Sequence, residues 1–587
     1  MLKLLKNLNK RDYIYVFISA GLIVFQVWLE LKMPDYMSNI TQLVQTRWAS
    51  INDILREGSY MLLCAFGSLV SAFIVGYFTS TIAASFSYRT RGKLFRKVED
   101  ISTFEVKKFS PSSLITRTTN DITQIEFLIA MGLTLMIKAP ITAVWAVTKI
   151  LNKNIEWSIL TGVAVLVLLI TIGIIMMIVM PKFKIVQELM DKINMVMREN
   201  LSGIRVVRAF NAEKYQEDKF ENVNNTLTNQ QVFNQKAFNF LSPVMYLVMY
   251  FLTLGIYFIG AILINEANMG DKIVLFGNMI VFSSYAMQVI MSFLMLAMIF
   301  MMLPRASVSA KRINEVLDTP ISVNEGNVTM NNSDIKGCVE FKNVSFKYPD
   351  ADEYVLEDIS FKVNKGETIA FIGSTGSGKS TLINLIPRFY DATSGEILIN
   401  GIDVRDYSFE YLNNIIGYVP QKATLFSGDI LSNVSFGKNI DGKPSNKKIA
   451  DALRVSQASE FVSKLEDGEK SHIAQGGTNI SGGQKQRLSI ARTIARNPEI
   501  YIFDDSFSAL DYKTDSTLRR ELREYTKDAT VMIVAQRIGT ILNADKIVVL
   551  DNGKCVGVGT HNELMKKCKV YKEIALSQVS KEELENV

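Results

Sequence analysis

Hydrophobic residues follow two different patterns, one in each half of this chain. The first half carries six long apolar runs separated by polar segments. Each run has about 20 apolar residues, which is enough for a helix to cross a bilayer. The runs cover residues 13–29, 60–86, 127–150, 157–180, 240–264 and 273–303. This half is therefore predicted to be an all-α domain with six transmembrane helices.

Basic residues beside the first run predict the orientation of the spans. Lys3, Lys6, Lys10 and Arg11 precede that run, and the cytosolic ends of membrane helices carry an excess of Lys and Arg. The N-terminus is therefore expected in the cytosol, and six spans return the chain to the same side. The long polar connections between runs have few Gly or Pro, so the second to fifth helices are expected to continue well past the membrane.

From about residue 304 the composition turns polar, and short apolar strands begin to alternate with helical segments near Val339. That alternation is typical of an α/β domain with a partly parallel sheet. The predicted organisation is a membrane domain over 1–318, a linker over 319–336 and an α/β domain over 337–587.

A phosphate-binding pattern lies at the start of the α/β domain. The stretch GSTGSGKST fits G-x-x-x-x-G-K-[ST], with an apolar strand before it and a helix after it. Such a loop turns backbone N–H groups toward phosphates, while its lysine reaches the β/γ-phosphates and its hydroxyl binds Mg²⁺. A plain Gly/Ser turn is the alternative, which the flanking elements disfavour. The predicted ATP-binding residues here are Gly373, Ser374, Thr375, Gly376, Ser377, Gly378, Lys379, Ser380 and Thr381.

Four further residues are candidates for the same site. Tyr348 has a ring that suits stacking on adenine, and Gln421 ends a strand where an amide suits contact with Mg²⁺. Asp504 and Asp505 end the strand IYIFDD. Asp504 suits Mg²⁺ coordination through water, and Asp505 points to where a water must be activated. Taken singly, Tyr348 and Gln421 also fit an ordinary turn and an ordinary polar loop.

A second anion-binding pattern follows about a hundred residues after the first. ISGGQ precedes a helix and contains Ser481, Gly482, Gly483 and Gln484, so its backbone N–H groups suit a phosphate. One nucleotide does not need both devices. The economical explanation is that they serve two different nucleotides across a dimer.

Composition narrows the function classes. The formal net charge is only +6 and no basic stretch is interleaved with exposed aromatics, so a nucleic-acid partner is not expected. The four cysteines lack metal-ligand spacing. With only two histidines, a histidine-based metal site or catalytic triad is not expected either.

Together these motifs resemble those of an ATP-binding cassette (ABC) exporter half-transporter, over nearly the whole length. GSTGSGKST resembles the Walker A loop, ISGGQ the family signature, IYIFDD the Walker B strand and SALD the D-loop. Tyr348 and Gln421 resemble the A-loop and Q-loop residues. The resemblance implies a P-loop ATPase that uses ATP and Mg²⁺, with the signature acting in trans on a second subunit.

Two stretches of the first half resemble the intracellular loops of the same family. They are residues 109–121 and 203–220. The resemblance implies coupling contacts near 112–117 and 211–218. It also implies a bilayer, an exported small molecule and, given no evident targeting signal, a bacterial plasma membrane.

Three positions depart from the family pattern. Asp505 stands where the family has the catalytic glutamate, Gln536 replaces the switch histidine, and Gln475 to Gly477 replaces Glu-Arg-Gly. Aspartate is one methylene shorter, and a misplacement of about 1 Å can cost on the order of 10²-fold in rate. The glutamine has no titratable proton. The chain therefore resembles the degenerate-site subunit of a heterodimeric bacterial multidrug exporter.

Other interpretations stay open. A homodimer with two slow sites, a dedicated lipid or peptide exporter and an ATP-gated regulator are the alternatives. Within the membrane half, Lys138 has either a substrate role or a paired, structural one. The methionines at 291, 295, 298 and 302 share one helix face, where they either line an adaptable pocket or pack between helices.

Overall fold

A computed structural model describes residues 2–46, 50–151, 155–330, 335–437 and 442–578. The chain divides into two compact units. The membrane unit comprises Met1–Val98 and Pro111–Asp318, and the α/β unit comprises Glu99–Ser110 and Thr319–Val587. Residues 331–334 of the predicted linker, and 438–441 and 579–587 of the predicted α/β domain, lie outside the described residues.

The described residues up to 318 lie mostly in helices. Their bounds are α1 Leu2–Leu5, α2 Lys10–Gln45, α3 Ile51–Asp100, α4 Thr103–Lys108, α5 Pro111–Thr118, α6 Asn120–Phe127, α7 Leu133–Leu151, α8 Ile155–Ser202, α9 Ile204–Ala209, α10 Glu213–Glu266 and α11 Met269–Leu317. A π-helical turn, Leu128–Gly132, joins α6 to α7. In the described part of the chain, six helical segments are long and apolar enough to cross a membrane, which confirms the six predicted spans.

Several helices are much longer than a bilayer requires. Helices α3, α8 and α10 have 50, 48 and 54 residues. At 1.5 Å per residue each extends roughly 75 Å, whereas a hydrocarbon core is about 30 Å thick. The predicted continuation of these helices beyond the apolar runs is thus present.

The α/β unit is built on a ten-stranded sheet in the described chain. Its strands are β1 Val339–Phe346, β2 Leu356–Val363, β3 Thr368–Gly373, β4 Ser394–Ile399, β5 Ile402–Asp403, β6 Ile416–Val419, β9 Ile500–Asp504, β10 Thr530–Val534, β11 Lys546–Asp551 and β12 Lys554–Gly559, while β7 Gly428–Asp429 and β8 His472–Ile473 form a separate pair. The strand order is β5-β4-β1-β2-β12-β11-β3-β10-β9-β6.

The helices of this unit follow or separate the strands. They are α12 Lys379–Leu385, α13 Phe409–Ile415, α14 Ile430–Val434, α15 Asn446–Val455, α16 Ser459–Val462, α17 Gly482–Arg496, α18 Tyr512–Tyr525, α19 His561–Lys567 and α20 Lys569–Gln578. Two hydrophobic clusters form the core of the unit. Alternate residues of β9 enter different clusters, since Tyr501 belongs to one and Ile502 to the other. The predicted α/β class is therefore confirmed.

Parallel pairing in the middle of the sheet brings several strand ends together. Strand β10 pairs in parallel with β3 and β9, and β9 pairs in parallel with β6. Val534 lies opposite both Phe371 and Asp504. The carboxyl ends of these four strands therefore meet at one edge, where α/β sheets place their ligands.

A short helix from the first half of the sequence packs within the α/β unit. Phe104 of α4 packs against one of its hydrophobic clusters, and Lys107 Nζ lies 3.2 Å from the Tyr390 hydroxyl. The segment that joins this unit is Glu99–Ser110, whereas residues 112–117 belong to the membrane unit. The coupling contacts expected near 112–117 remain a prediction.

Close helix approach in the membrane unit depends on Gly260 of α10. A Cβ built there would lie 2.5 Å from Met279 Sδ and 3.3 Å from Trp157 Cζ2. Trp157 and Ile256 are buried in the same cluster. Small residues allow membrane helices to approach closely, and here one glycine admits side chains from two neighbouring helices.

Replacing Gly260 by Val is expected to destabilise the membrane unit by about 1–3 kcal/mol, because overpacking moves side chains off their rotamers. Thermal unfolding in detergent should show a lower midpoint. Gly162→Val is the matched control, since a Cβ at Gly162 meets nothing within 4 Å. Equal midpoints for the two variants would contradict the packing argument.

Candidate nucleotide site

The phosphate loop between β3 and α12 requires glycine at defined places. Gly376 and Gly378 have φ of +86° and +92°, a region that favours glycine. A Cβ at Gly378 would lie 2.7 Å from Leu356 Cδ2, and one at Gly373 only 2.1 Å from the Leu550 carbonyl oxygen. The loop is therefore a tight cradle whose backbone can approach a ligand closely.

Lys379 extends over the rim of this cradle. Its ammonium group donates to the carbonyls of Gly373 and Ser374, at 2.9 Å and 2.7 Å. Burial lowers the pKa of Lys379, and the charges of Asp505 and Asp504 oppose that shift. A nucleotide phosphate offers the same ammonium group a full negative charge, so the site fits a polyphosphate chain.

The magnesium side of the site joins α12 to the end of β9. Ser380 Oγ donates to Asp504 Oδ1 at 2.9 Å. Tyr418 OH lies 3.4 Å from Asp504 Oδ2 and 3.0 Å from Asn384 Oδ1. Burial raises the pKa of Asp504, and the neighbouring Asp505 charge adds to that rise.

This donor set suits Mg²⁺ held partly by phosphates. The described residues contain no group of three or more His, Cys, Asp or Glu side chains that could hold a metal alone. Mg²⁺ commonly takes one or two protein oxygens and completes its octahedron with water and phosphate. A hydroxyl and a carboxylate in contact therefore fit the predicted roles of Ser380 and Asp504.

Asp505 is held between two glutamines. Its Oδ2 atom accepts from Gln536 Nε2 at 2.8 Å and from Gln421 Nε2 at 3.2 Å. Its backbone has φ of +45°, and its N–H donates to the Val534 carbonyl at 3.0 Å. Burial raises the pKa of Asp505, which the Gln421 and Ser508 hydrogen bonds partly offset.

Tyr348 stands beside the phosphate loop. Its hydroxyl lies 3.1 Å from Thr381 Oγ1, and its ring meets Phe346 and Tyr390 edge-on. A ring fixed by two aromatic neighbours, next to the first helical turn after the loop, is well placed to stack on a base.

The ISGGQ segment forms a separate helix N-terminus. Ser481 caps α17 by accepting from the Gln484 N–H at 3.3 Å, and Gln484 Oε1 accepts from the Ser481 N–H at 2.9 Å. Ser481 and Gly482 are exposed. Among the described residues, no hydrogen bond joins Ser481–Gln484 to the loop, to Asp504 or to Asp505. The chain therefore brings the other candidate residues together and leaves the signature apart.

Tyr418 and Asn384 are candidate site residues that sequence reasoning missed. Tyr418 lies in the GYVPQ segment that also supplies Gln421, and its ring meets Phe389 edge-on. The available signal was a tyrosine within a short apolar strand that ends at the site. This signal did not single out Tyr418, because tyrosines are also common in protein cores.

Two family models match the chain. One described as ABC transporter matches residues 356–508, and one described as ABC transporter transmembrane region matches residues 15–303. A Mycobacterium tuberculosis (strain ATCC 25618 / H37Rv) protein, named as an uncharacterized ABC transporter ATP-binding protein, is 41% identical over 533 residues, 89% of each chain. The chain belongs to the ABC transporter family. It is a half-transporter of the exporter type, with one transmembrane domain fused to one ATP-binding domain.

Two further similarities are informative. An ATP-dependent lipid A-core flippase of Pseudomonas fluorescens (strain Pf0-1) is 31% identical over 510 residues, 86% of this chain and 82% of that protein. A solved bacterial Atm1-family ABC exporter with ATP bound has a TM-score of 0.79 and 22% identity, covering 97% of this chain and 99% of that chain. The half-transporter is thus a multi-pass membrane protein whose ATP-binding domain implies ATP hydrolysis coupled to transport.

Tyr418→Phe is expected to weaken Mg²⁺-dependent ATP binding about 3- to 10-fold, because one hydrogen bond positioning Asp504 is lost. Titration of a fluorescent ATP analogue with and without Mg²⁺ measures this. The exposed Tyr525→Phe should bind like the unmodified half-transporter. An equal change with and without Mg²⁺ would contradict the role given to Asp504.

Asp504→Asn is expected to raise the unfolding temperature of the nucleotide-free protein by a few degrees near pH 7. The folded-state pKa of Asp504 lies above its unfolded value. At pH values between these two pKa values the folded protein binds more protons than the unfolded chain, so stability falls as pH rises through this range. Asparagine removes this loss, and the gain should disappear toward pH 4. The surface variant Asp528→Asn should show no such pH-dependent gain.

Proposed function

We propose that this half-transporter is the degenerate-site subunit of a heterodimeric exporter. Its phosphate loop holds MgATP and cleaves it slowly. A second half-transporter supplies the catalytic glutamate and switch histidine for the other site. Gly373 to Thr381, Tyr348, Gln421 and Asp504 bind the retained nucleotide.

The contact between Asp505 and Gln536 carries this proposal. A general base must reach the water it activates, yet Asp505 is one methylene shorter than glutamate and its Oδ2 accepts from two amides. Gln536 has no titratable proton to exchange with the γ-phosphate. Both residues therefore favour a site that binds ATP over one that hydrolyses it.

The signature supports an active role for the chain in hydrolysis at the partner's site. Ser481 is the N-cap of α17, and Ser481 and Gly482 are exposed. No hydrogen bond among the described residues joins this segment to the chain's own phosphate loop. In a sandwich of two ATP-binding domains, this device contacts ATP bound to the partner's loop. Closure of that sandwich moves coupling segments and switches the membrane helices between inward- and outward-facing states.

The transported material is proposed to be small amphipathic compounds, drugs or lipids, moved across a bacterial plasma membrane. Lys3, Lys6, Lys10 and Arg11 favour a cytosolic N-terminus and cytosolic ATP-binding domain. The boundaries 1–318, 319–336 and 337–587 are proposed for the three regions. The lipid A-core flippase relative specifically favours lipid export as the second candidate.

Two substitutions in this chain separate the roles of its two motifs. In the purified pair, Asp505→Asn is expected to leave ATP turnover within about 2-fold, because the own site contributes little. Ser481→Ala should lower turnover about 10-fold or more, since it removes a phosphate contact at the competent site. Steady-state phosphate release measures both, and nucleotide occupancy of the Asp505→Asn pair should persist.

The opposite pattern would contradict the proposal. A large loss from Asp505→Asn with little effect of Ser481→Ala would assign hydrolysis to the chain's own site. Strong turnover by the isolated chain would likewise exclude dependence on a different partner. Substituting the partner's Walker B glutamate should abolish turnover.

A further inference from the structure

A cavity of about 250 Å³ lies in the membrane unit between α2, α3 and α11. Its walls combine polar acceptors with flexible apolar side chains. The residues that matter for its chemistry are Glu30, Met33, Met37, Met61, Ser284 and Gln288. An ionisable residue at membrane depth points to function by default.

Glu30 uses one carboxylate oxygen for the protein. Its Oε1 accepts from Lys138 Nζ at 2.8 Å, Gln26 Nε2 at 2.9 Å and Ser68 Oγ at 3.2 Å. Lys138 of α7 therefore forms an ion pair with Glu30 of the neighbouring helix α2. No described residue donates to Glu30 Oε2. The Glu30 side chain is 23% exposed. Glu30 thus lines the cavity and keeps one carboxylate oxygen that accepts from no described residue.

Gln288 supplies a second acceptor from the opposite helix. Its Oε1 atom is buried and has no hydrogen-bond partner. A buried polar oxygen without a partner costs stability, and such exceptions need an explanation. A ligand donor in the cavity would satisfy this atom. Ser284 lies one turn away on the same helix and adds a hydroxyl to that wall.

The apolar part of the cavity is lined by methionines from two helices. Met33 and Met37 lie one turn apart on α2, and Met61 lies on α3. Unbranched thioether side chains adapt to ligands of different shape. None of the methionines at 291, 295, 298 and 302 lines this cavity, whereas Met302 lines a different one.

We propose that this cavity binds the hydrogen-bond-donating head of an amphipathic export substrate, most simply an alkyl or aryl ammonium compound. Its N–H groups donate to Glu30 Oε2 and Gln288 Oε1, and its apolar body contacts the methionines. The inference rests on the proposed export function and names a substrate class for it. The small volume admits a head group, with the remainder of the molecule extending from the open side.

A second ion pair in the same helices provides a matched control. Lys149 Nζ donates to Asp35 Oδ2 at 2.8 Å, the same length as the Glu30–Lys138 pair. Asp35 also accepts from the Tyr285 hydroxyl at 2.7 Å. Asp35 does not line the cavity. Neutralising either carboxylate leaves one lysine without its carboxylate, but only Glu30 faces the cavity.

The test uses the reconstituted pair in lipid nanodiscs and two probes with the same chain and charge. Decylammonium has three N–H donors, whereas decyltrimethylammonium has none. The concentration of each that gives half-maximal change in ATPase activity is measured below micelle formation. Lipid partitioning of each probe is common to all variants, so ratios between variants report the protein site.

Glu30→Gln and Gln288→Leu are each expected to raise the decylammonium value about 10-fold, as loss of a hydrogen bond to a charged group does. Asp35→Asn should stay within about 2-fold. Decyltrimethylammonium should shift less than decylammonium in both cavity variants. Gln288→Leu keeps the Glu30–Lys138 pair, so it tests the site even if Glu30→Gln fails to fold.

Three results would overturn the inference. They are equal shifts for Asp35→Asn and Glu30→Gln, equal shifts for the two probes, or no response of the unmodified pair to decylammonium. The proposed function fails separately, through the phosphate-release pattern of Asp505→Asn and Ser481→Ala. A pair that shows that pattern but ignores decylammonium is an exporter of another substrate class.

Discussion

The nucleotide site depends on the register of four parallel strands. Val534 of β10 lies opposite Phe371 on one side and Asp504 on the other. This pairing places the phosphate loop, the carboxylates and Gln536 at one sheet edge, although they are far apart in sequence. A one-residue slip would turn every side chain of a strand to the other face. The buried clusters on both faces oppose such a slip, and they thereby keep the candidate site residues in place.

Two adjacent carboxylates have different hydrogen-bond partners. Asp504 contacts a serine hydroxyl and a tyrosine hydroxyl, which leaves a polar pair suited to Mg²⁺. Asp505, in a left-handed backbone conformation, accepts from Gln421 and Gln536. Burial raises both pKa values. The different roles proposed for the two carboxylates rest on their geometry and hydrogen bonding, since burial shifts both pKa values in the same direction.

The membrane unit follows a related rule in a different solvent. A charge within hydrocarbon must be paired or must face a polar cavity. Lys138 meets this condition through Glu30, and Lys149 meets it through Asp35. The ion pair with Glu30 thus supports the structural interpretation of Lys138. Glu30 becomes the candidate for a functional role. Glu30 lines a cavity, and its second oxygen accepts from no described residue.

Sequence alone determined the six spans and the α/β class and picked out the motif residues proposed for the site, because apolar periodicity and phosphate-loop spacing are local patterns. It also identified Asp505 and Gln536 as departures. Only tertiary structure showed that Gln536 donates a hydrogen bond to Asp505. It also showed that the Tyr418 hydroxyl contacts Asp504 and that Lys138 forms an ion pair with Glu30. Those contacts join residues distant in sequence, and side-chain partners across helices and strands leave no periodic signal in the chain.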